Sequence, residues 1–108
     1  MIRAVLTMVV REGCERAFEK AWLDAAAVTR TMPGAVAQTM LRDPGTPRRY
    51  VITADWLTPE HLTVYQDSDR RHALSAALEP LRESATRELL EIVAHFDPGT
   101  EPEQGGRR

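Results

Sequence analysis

The sequence predicts one α+β domain of the ferredoxin-like βαββαβ type, a four-stranded antiparallel sheet with its helices on one face. Three observations predict it. Apolar, β-branched runs recur at residues 2–10, 35–42, 49–57 and 88–96; amphipathic stretches with three-and-four spacing lie between the first and second runs and between the third and fourth; and the middle runs are joined by the turn-rich segment DPGTP. Two helical crossovers flanking a hairpin close into that sheet when both crossovers are right-handed.

Residues 2–10, IRAVLTMVV, are too short for a useful helix and end at the polar Arg11-Glu12-Gly13, which suits a strand. Ile2, Ala4, Leu6, Met8 and Val10 share one face, and Arg3, Val5, Thr7 and Val9 the other. From Cys14 to about Thr31 the period changes: Cys14, Phe18, Ala21, Trp22, Ala25, Val28 and Met32 recur at steps of three and four between charged residues, an amphipathic helix. Pro33-Gly34 stops it. Residues 35–42 and 49–57 read as a hairpin, with Tyr50, Ile52, Ala54 and Trp56 on one face of its second strand. Thr58-Pro59-Glu60 then offers a capping hydroxyl, a proline at the first helical position and an early acid. A second helical region follows, broken near Asp67-Ser68-Asp69 and resumed through Ala73, Leu74, Ala77, Leu78 and Leu81. Residues 88–96, ELLEIVAHF, are expected to form the fourth strand, with Leu90, Ile92 and Ala94 opposite Leu89 and Val93. The domain is therefore expected to span residues 1–96, and the Pro, Gly and Glu-rich residues 97–108 to form a disordered tail.

Composition narrows the function classes. Fourteen basic and 16 acidic side chains leave a formal charge of −2, and the arginines are scattered among acids, so no nucleic-acid footprint is expected. No run approaches the roughly 18–20 apolar residues of a membrane span, and no signal-peptide pattern opens the chain, which points to a cytoplasmic protein. Cys14 is the only cysteine and reads as a small apolar residue of the first helix. His61, His72 and His95 have no close spacing. The first two are eleven residues apart, ~16 Å along a helix, so no metal site is expected.

Two helices cover one side of such a sheet, yet Val5, Val9, Val51 and Val93 make the other side apolar too. A bare apolar face of that size is a liability in water, and the simplest remedy for a short chain is a homodimer with two sheets face to face.

Candidate site residues gather around the third strand and second helix. Trp56 shares a face with Tyr50 and Ile52 and either lines a cavity or fills the core. Tyr65 and Leu62 share a helical face, and Ser68 and His72 continue it. His72 is the preferred general base because imidazole titrates near physiological pH, although Arg70-Arg71-His72 also reads as a solvated cationic turn. His61, in the first turn after the cap, lies close in sequence to Trp56, and His95 falls toward the opposite sheet face or the rim.

The segments VREGCERAFEKAW, MPGAVAQTMLRD, YVITADW and TPEHLTVYQDSDRRHALSAALEPL resemble the antibiotic biosynthesis monooxygenase family of dimeric α+β barrels over residues 2–95. The resemblance implies a pocket between sheet and helices for a flat aromatic polyketide, oxidised by molecular oxygen without cofactor. With the faces read above, His72, Tyr65 and Trp56 are the expected catalytic residues and Tyr50, Ile52, Leu62, Ser68, Trp22, Gln38 and His61 the expected substrate-binding ones, the inward projection of Trp56 being what the resemblance implies. Such chemistry needs a base, a donor for the developing oxyanion and a dry apolar slot. Haem-degrading and some quinone-forming relatives carry an asparagine near the first strand or the strand-three tryptophan, and this chain has none. The oxyanion donor is then expected among Trp56, Tyr65, Gln38 or an ordered water. A polyketide cyclase or isomerase using the same pocket, and a non-catalytic dimeric binding protein, are the competing readings.

Overall fold

A computed structural model describes residues 1–99. Its elements run β1 (Ile2–Val10), α1 (Glu15–Thr29), β2 (Ala35–Asp43), β3 (Thr46–Trp56), α2 (Pro59–Gln66), α3 (Asp69–Leu78), a 3₁₀ turn (Glu79–Leu81) and β4 (Arg82–Glu91). The strands form one antiparallel sheet in the order β2-β3-β1-β4, the predicted ferredoxin-like α+β arrangement. Of the tail expected at 97–108, residues 100–108 lie outside the described residues. No described helix is long and apolar enough to cross a membrane.

Local chemistry sets the helix boundaries. Thr58 caps α2, its Oγ1 accepting from the His61 N–H at 3.1 Å, with Pro59 at the first position. The expected break at Asp67-Ser68 divides the second helical region into two helices, because the Ser68 Oγ accepts from the Arg71 N–H at 3.2 Å and starts α3 afresh. After α1 the chain reverses through Gly34, whose φ of +83° is open to glycine and strained for other residues.

The helix-facing side of the sheet carries Ala4, Met8 and Val10 from β1 and Tyr50, Ile52 and Trp56 from β3, all buried. The core divides in two. Met8, Val10, Phe18, Trp22, Tyr50, Ile52 and Leu78 pack at one end, and Met32, Trp56, Leu62 and Tyr65 at the other.

Strand four differs from expectation in place and in facing. It spans Arg82–Glu91 rather than 88–96, pairing along nearly all of β1 from Val10↔Arg82 to Ile2↔Glu91. Leu89 lies opposite Ala4 on the helix side, and Leu90 opposite Arg3 on the open side, the reverse of the expected alternation. Val93 and His95 follow the strand and belong to neither face of it. The reason is that β4 is an edge strand held by backbone pairing, so its polar sequence RESATRE carries no hydrophobic signal.

The open side is largely apolar and hydroxylic, with the charged Glu88 opposite Val5 and Arg49 opposite Val9. Val5, Val9, Val51, Thr7, Thr53, Leu41 and Leu90 occupy it, and Leu41 and Leu90 are each about half exposed. One ion pair crosses it: Arg3 donates from Nε to Asp55 Oδ1 at 2.6 Å and from Nη2 to Oδ2 at 2.9 Å.

Candidate active site

Between the two core clusters lies a cavity of about 60 Å³. Its floor is Ala4 and Leu6 of β1 with Ile52, Ala54 and Trp56 of β3; Trp22 and Thr29 of α1 and Gln38 of β2 close one side; Leu62, Tyr65 and Gln66 of α2 and Arg71 and Leu74 of α3 roof it; and Arg87 of β4 stands at the far side. A second compartment of about 160 Å³ adjoins it and shares Leu6, Arg71, Leu74 and Arg87 as walls.

The Trp56 and Tyr65 rings stack with centroids 4.8 Å apart and planes at 27°. Tyr65 Oη accepts a long bond from Thr29 Oγ1 at 3.5 Å, and Gln38 Nε2 donates to the Ala26 carbonyl at 3.2 Å, tying β2 to α1. Trp56 Nε1 is buried with no hydrogen-bond partner among the described residues. Leaving a buried donor unpaired costs about 1–3 kcal/mol, so such groups are exceptional in folded proteins and call for a reason.

Six of the predicted residues meet at this cavity: Trp56, Tyr65, Leu62, Ile52, Trp22 and Gln38. Four do not. Tyr50 is buried in the other cluster, where its hydroxyl donates to Glu19; burial, and then that carboxylate, push its phenol above the usual range. The Ser68 hydroxyl is spent on the α3 cap and on a 2.6 Å bond to the Tyr65 carbonyl. His61 packs on Gly34 and joins Thr58 Oγ1 through Nδ1 at 2.7 Å. His72 is exposed on α3 and lines neither compartment, so the general-base role expected of it has no support from its position.

Sequence reasoning missed the arginines. Arg71 sat inside the segment read as a solvated turn, and Arg87 lay outside the stretch assigned to strand four. With the Gln66 amide turned so that its oxygen faces Arg87, that oxygen accepts from Nη1 and Nη2 of Arg87 at 2.8 and 2.7 Å. Among the described residues neither imidazole nor carboxylate lines the cavity, and the titratable side chains on its wall are Tyr65, Arg71 and Arg87. Among the described residues no three His, Cys, Asp or Glu side chains are grouped to hold a metal ion.

The fold and the sequence have counterparts among known proteins. The sequence profile described as antibiotic biosynthesis monooxygenase matches residues 1–77. SnoaB from Streptomyces nogalater, a cofactor-independent oxygenase, superposes with a TM-score of 0.79 at 22% identity, covering 88% of this chain and 95% of that one. A Caulobacter crescentus protein provisionally named for the same family gives 0.79 at 26% identity over 86% and 90%. A conserved protein from Methanosarcina mazei gives 0.77 at 14% over 82% and 89%. No curated protein matches the sequence.

Proposed function

The chain belongs to the antibiotic biosynthesis monooxygenase family, and from that premise we propose that it is a cofactor-independent monooxygenase converting an anthrone-type or phenolic polyketide to a quinone. The observation that carries the reading is the unpartnered indole N–H of Trp56, buried beside Tyr65 at the end of the cavity lined by aromatic and aliphatic side chains. An aromatic substrate lying against these rings gives that N–H the acceptor it lacks. The bond strengthens as the substrate oxygen gains charge, the differential binding that speeds a reaction.

The chemistry balances as R₂CH₂ + O₂ → R₂C=O + H₂O. Loss of a proton makes the substrate electron-rich, and one electron passes to oxygen. The radical pair joins in a C–O bond, giving a peroxide after protonation. Loss of the second C–H proton with cleavage of the O–O bond then leaves the carbonyl and water. Carbon gives up four electrons and dioxygen takes them. The described residues of the cavity wall include no imidazole or carboxylate, so in this reading the first proton leaves to solvent at the Arg71 and Arg87 side, where positive charge favours the anion left behind.

At about 60 Å³ the cavity is well below the roughly 300–1,000 Å³ of typical small-molecule sites. Admission of a polycyclic substrate therefore merges the two compartments by displacing their shared walls. The expected result is stoichiometric oxygen consumption with an anthrone-type substrate, undiminished by chelator, with one oxygen atom from ¹⁸O₂ retained in the quinone. Product formed without oxygen uptake would instead identify a cyclase on the same template, and binding without product an accessory protein.

The open sheet face supports a homodimer as part of this reading. Sedimentation is expected to give the mass of two chains, and Val51→Lys, centred on that face, the mass of one. Covering it is worth roughly 25 cal/mol per Å² of apolar surface, and a buried unpaired ammonium cancels that gain.

A further inference from the structure

On one side the small cavity is separated from open water by very little. Two surface grooves, about 420 and 490 Å³, run between α1 and β2. Trp22 and Gln38 line both grooves and the cavity itself, so these two side chains form the partition. The gap exists because β2 is an edge strand of the sheet and, among the described residues, two side-chain hydrogen bonds join it to α1: Gln38 Nε2 donates to the Ala26 carbonyl and Arg42 Nη1 to Glu19 Oε2, both at 3.2 Å. Trp22 is 8% exposed and packs in one core cluster with Phe18, Tyr50 and Ile52, so it is a fixed post. Gln38 is different. It is half-buried, stands opposite Ala54 in the register of β2 and β3, and bonds a carbonyl that already accepts from the Arg30 N–H at 3.0 Å. Release of that amide to water leaves no buried group unpaired and costs little.

We propose that an aromatic ligand enters the cavity between α1 and β2, and that Gln38 is the gate it passes. The approach is lined by Leu23, Ala27, Ala35 and Val36, with Leu23 61% and Val36 47% exposed. A flat apolar molecule sheds water against such a surface before it reaches the partition. The opposite side of the cavity presents Gln66, Arg71 and Arg87 instead, polar groups that the same passage would strip of water. One neutral hydrogen bond holds the gate shut, so the closed form outweighs the open one by about two- to tenfold, and the apparent entry rate is reduced by that fraction. The inference rests on the aromatic-pocket reading above and adds its entrance.

Quenching of the two tryptophans by 1,8-dihydroxyanthraquinone, followed by stopped flow on the full chain, measures both rates. Gln38→Ala, which leaves the gate open, is expected to raise association and dissociation together by about two- to tenfold. Ala27→Trp and Val36→Trp fill the approach at positions that do not line the cavity, and each is expected to lower both rates by about tenfold. A passage acts equally in both directions, so Kd is unchanged in these two variants. Gln66→Ala, on the opposite side, should leave both rates as they are. Unaltered rates in Gln38→Ala and in both tryptophan variants overturn the gate and leave the aromatic pocket standing, as does acceleration by Gln66→Ala in place of Gln38→Ala. Tryptophan variants that change Kd instead of the two rates together would make the groove itself the binding site, which also overturns the proposal. No quenching of the unaltered protein overturns gate and pocket alike.

Discussion

Trp56→Phe is expected to lower kcat by about 10²–10³-fold, the loss measured when a single oxyanion donor is removed elsewhere, while barely changing stability. The two effects come from the same atom. Phenylalanine keeps a ring against Tyr65 but has no N–H, so the charge developing on the substrate oxygen goes unanswered. In the folded protein without ligand that N–H is a burden of about 1–3 kcal/mol, because Nε1 is buried and unpartnered. Its removal offsets the volume lost with the smaller ring, and denaturant unfolding should show a net change within about 1 kcal/mol. A variant that folds as well as the parent and turns over at the parental rate would remove Trp56 from the chemistry. A variant losing several kcal/mol with proportionate activity would make it a core aromatic.

Gly34→Ala is the substitution expected to damage the fold most for its size. The backbone there sits at φ +83°, and a Cβ would fall 2.2 Å from Cγ and 2.5 Å from Cβ of His61. The left-handed conformation costs a non-glycine residue about 1–2 kcal/mol, and forcing atoms into filled space adds about 1–3 kcal/mol. His61 cannot easily retreat, since Nδ1 is joined to Thr58 Oγ1 at the start of α2. The neighbouring Gly34 carbonyl also accepts from the Leu57 N–H at 2.9 Å, so the chain cannot shift freely either. Urea unfolding should place the combined loss at about 2–5 kcal/mol. Gly34→Ala with His61→Ala, compared with His61→Ala alone, should recover the steric share and keep the backbone share. A loss unchanged in that comparison would assign the whole effect to the backbone.

Faces of elements were legible in the sequence, and positions along them less so. Alternation in IRAVLTMVV and RRYVITADW assigns each side chain of β1 and β3 to the correct side of the sheet. Yet Tyr50 and Trp56, on one face, are six residues apart, ~20 Å at strand spacing, and end in different core clusters. The Tyr65–Ser68–His72 stripe fails for another reason: it assumes one helical axis through Asp67-Ser68, whereas the cap restarts the helix and turns Arg71 and Leu74 inward in place of His72. Strand four was misplaced because an edge strand is specified by its partner's length. The apolar LLEIV drew attention away from the polar residues that do the pairing.

In the proposed homodimer the Arg3–Asp55 pair would bear on how the two copies align. It sits among valines, threonines and leucines on the uncovered side of the sheet, with Asp55 only 9% exposed. A second sheet sliding over that surface by one residue would press methyl groups onto charged atoms and strip them of water, which is costly. In such a dimer the island would act as a keyway, penalising misaligned pairings of the two sheets.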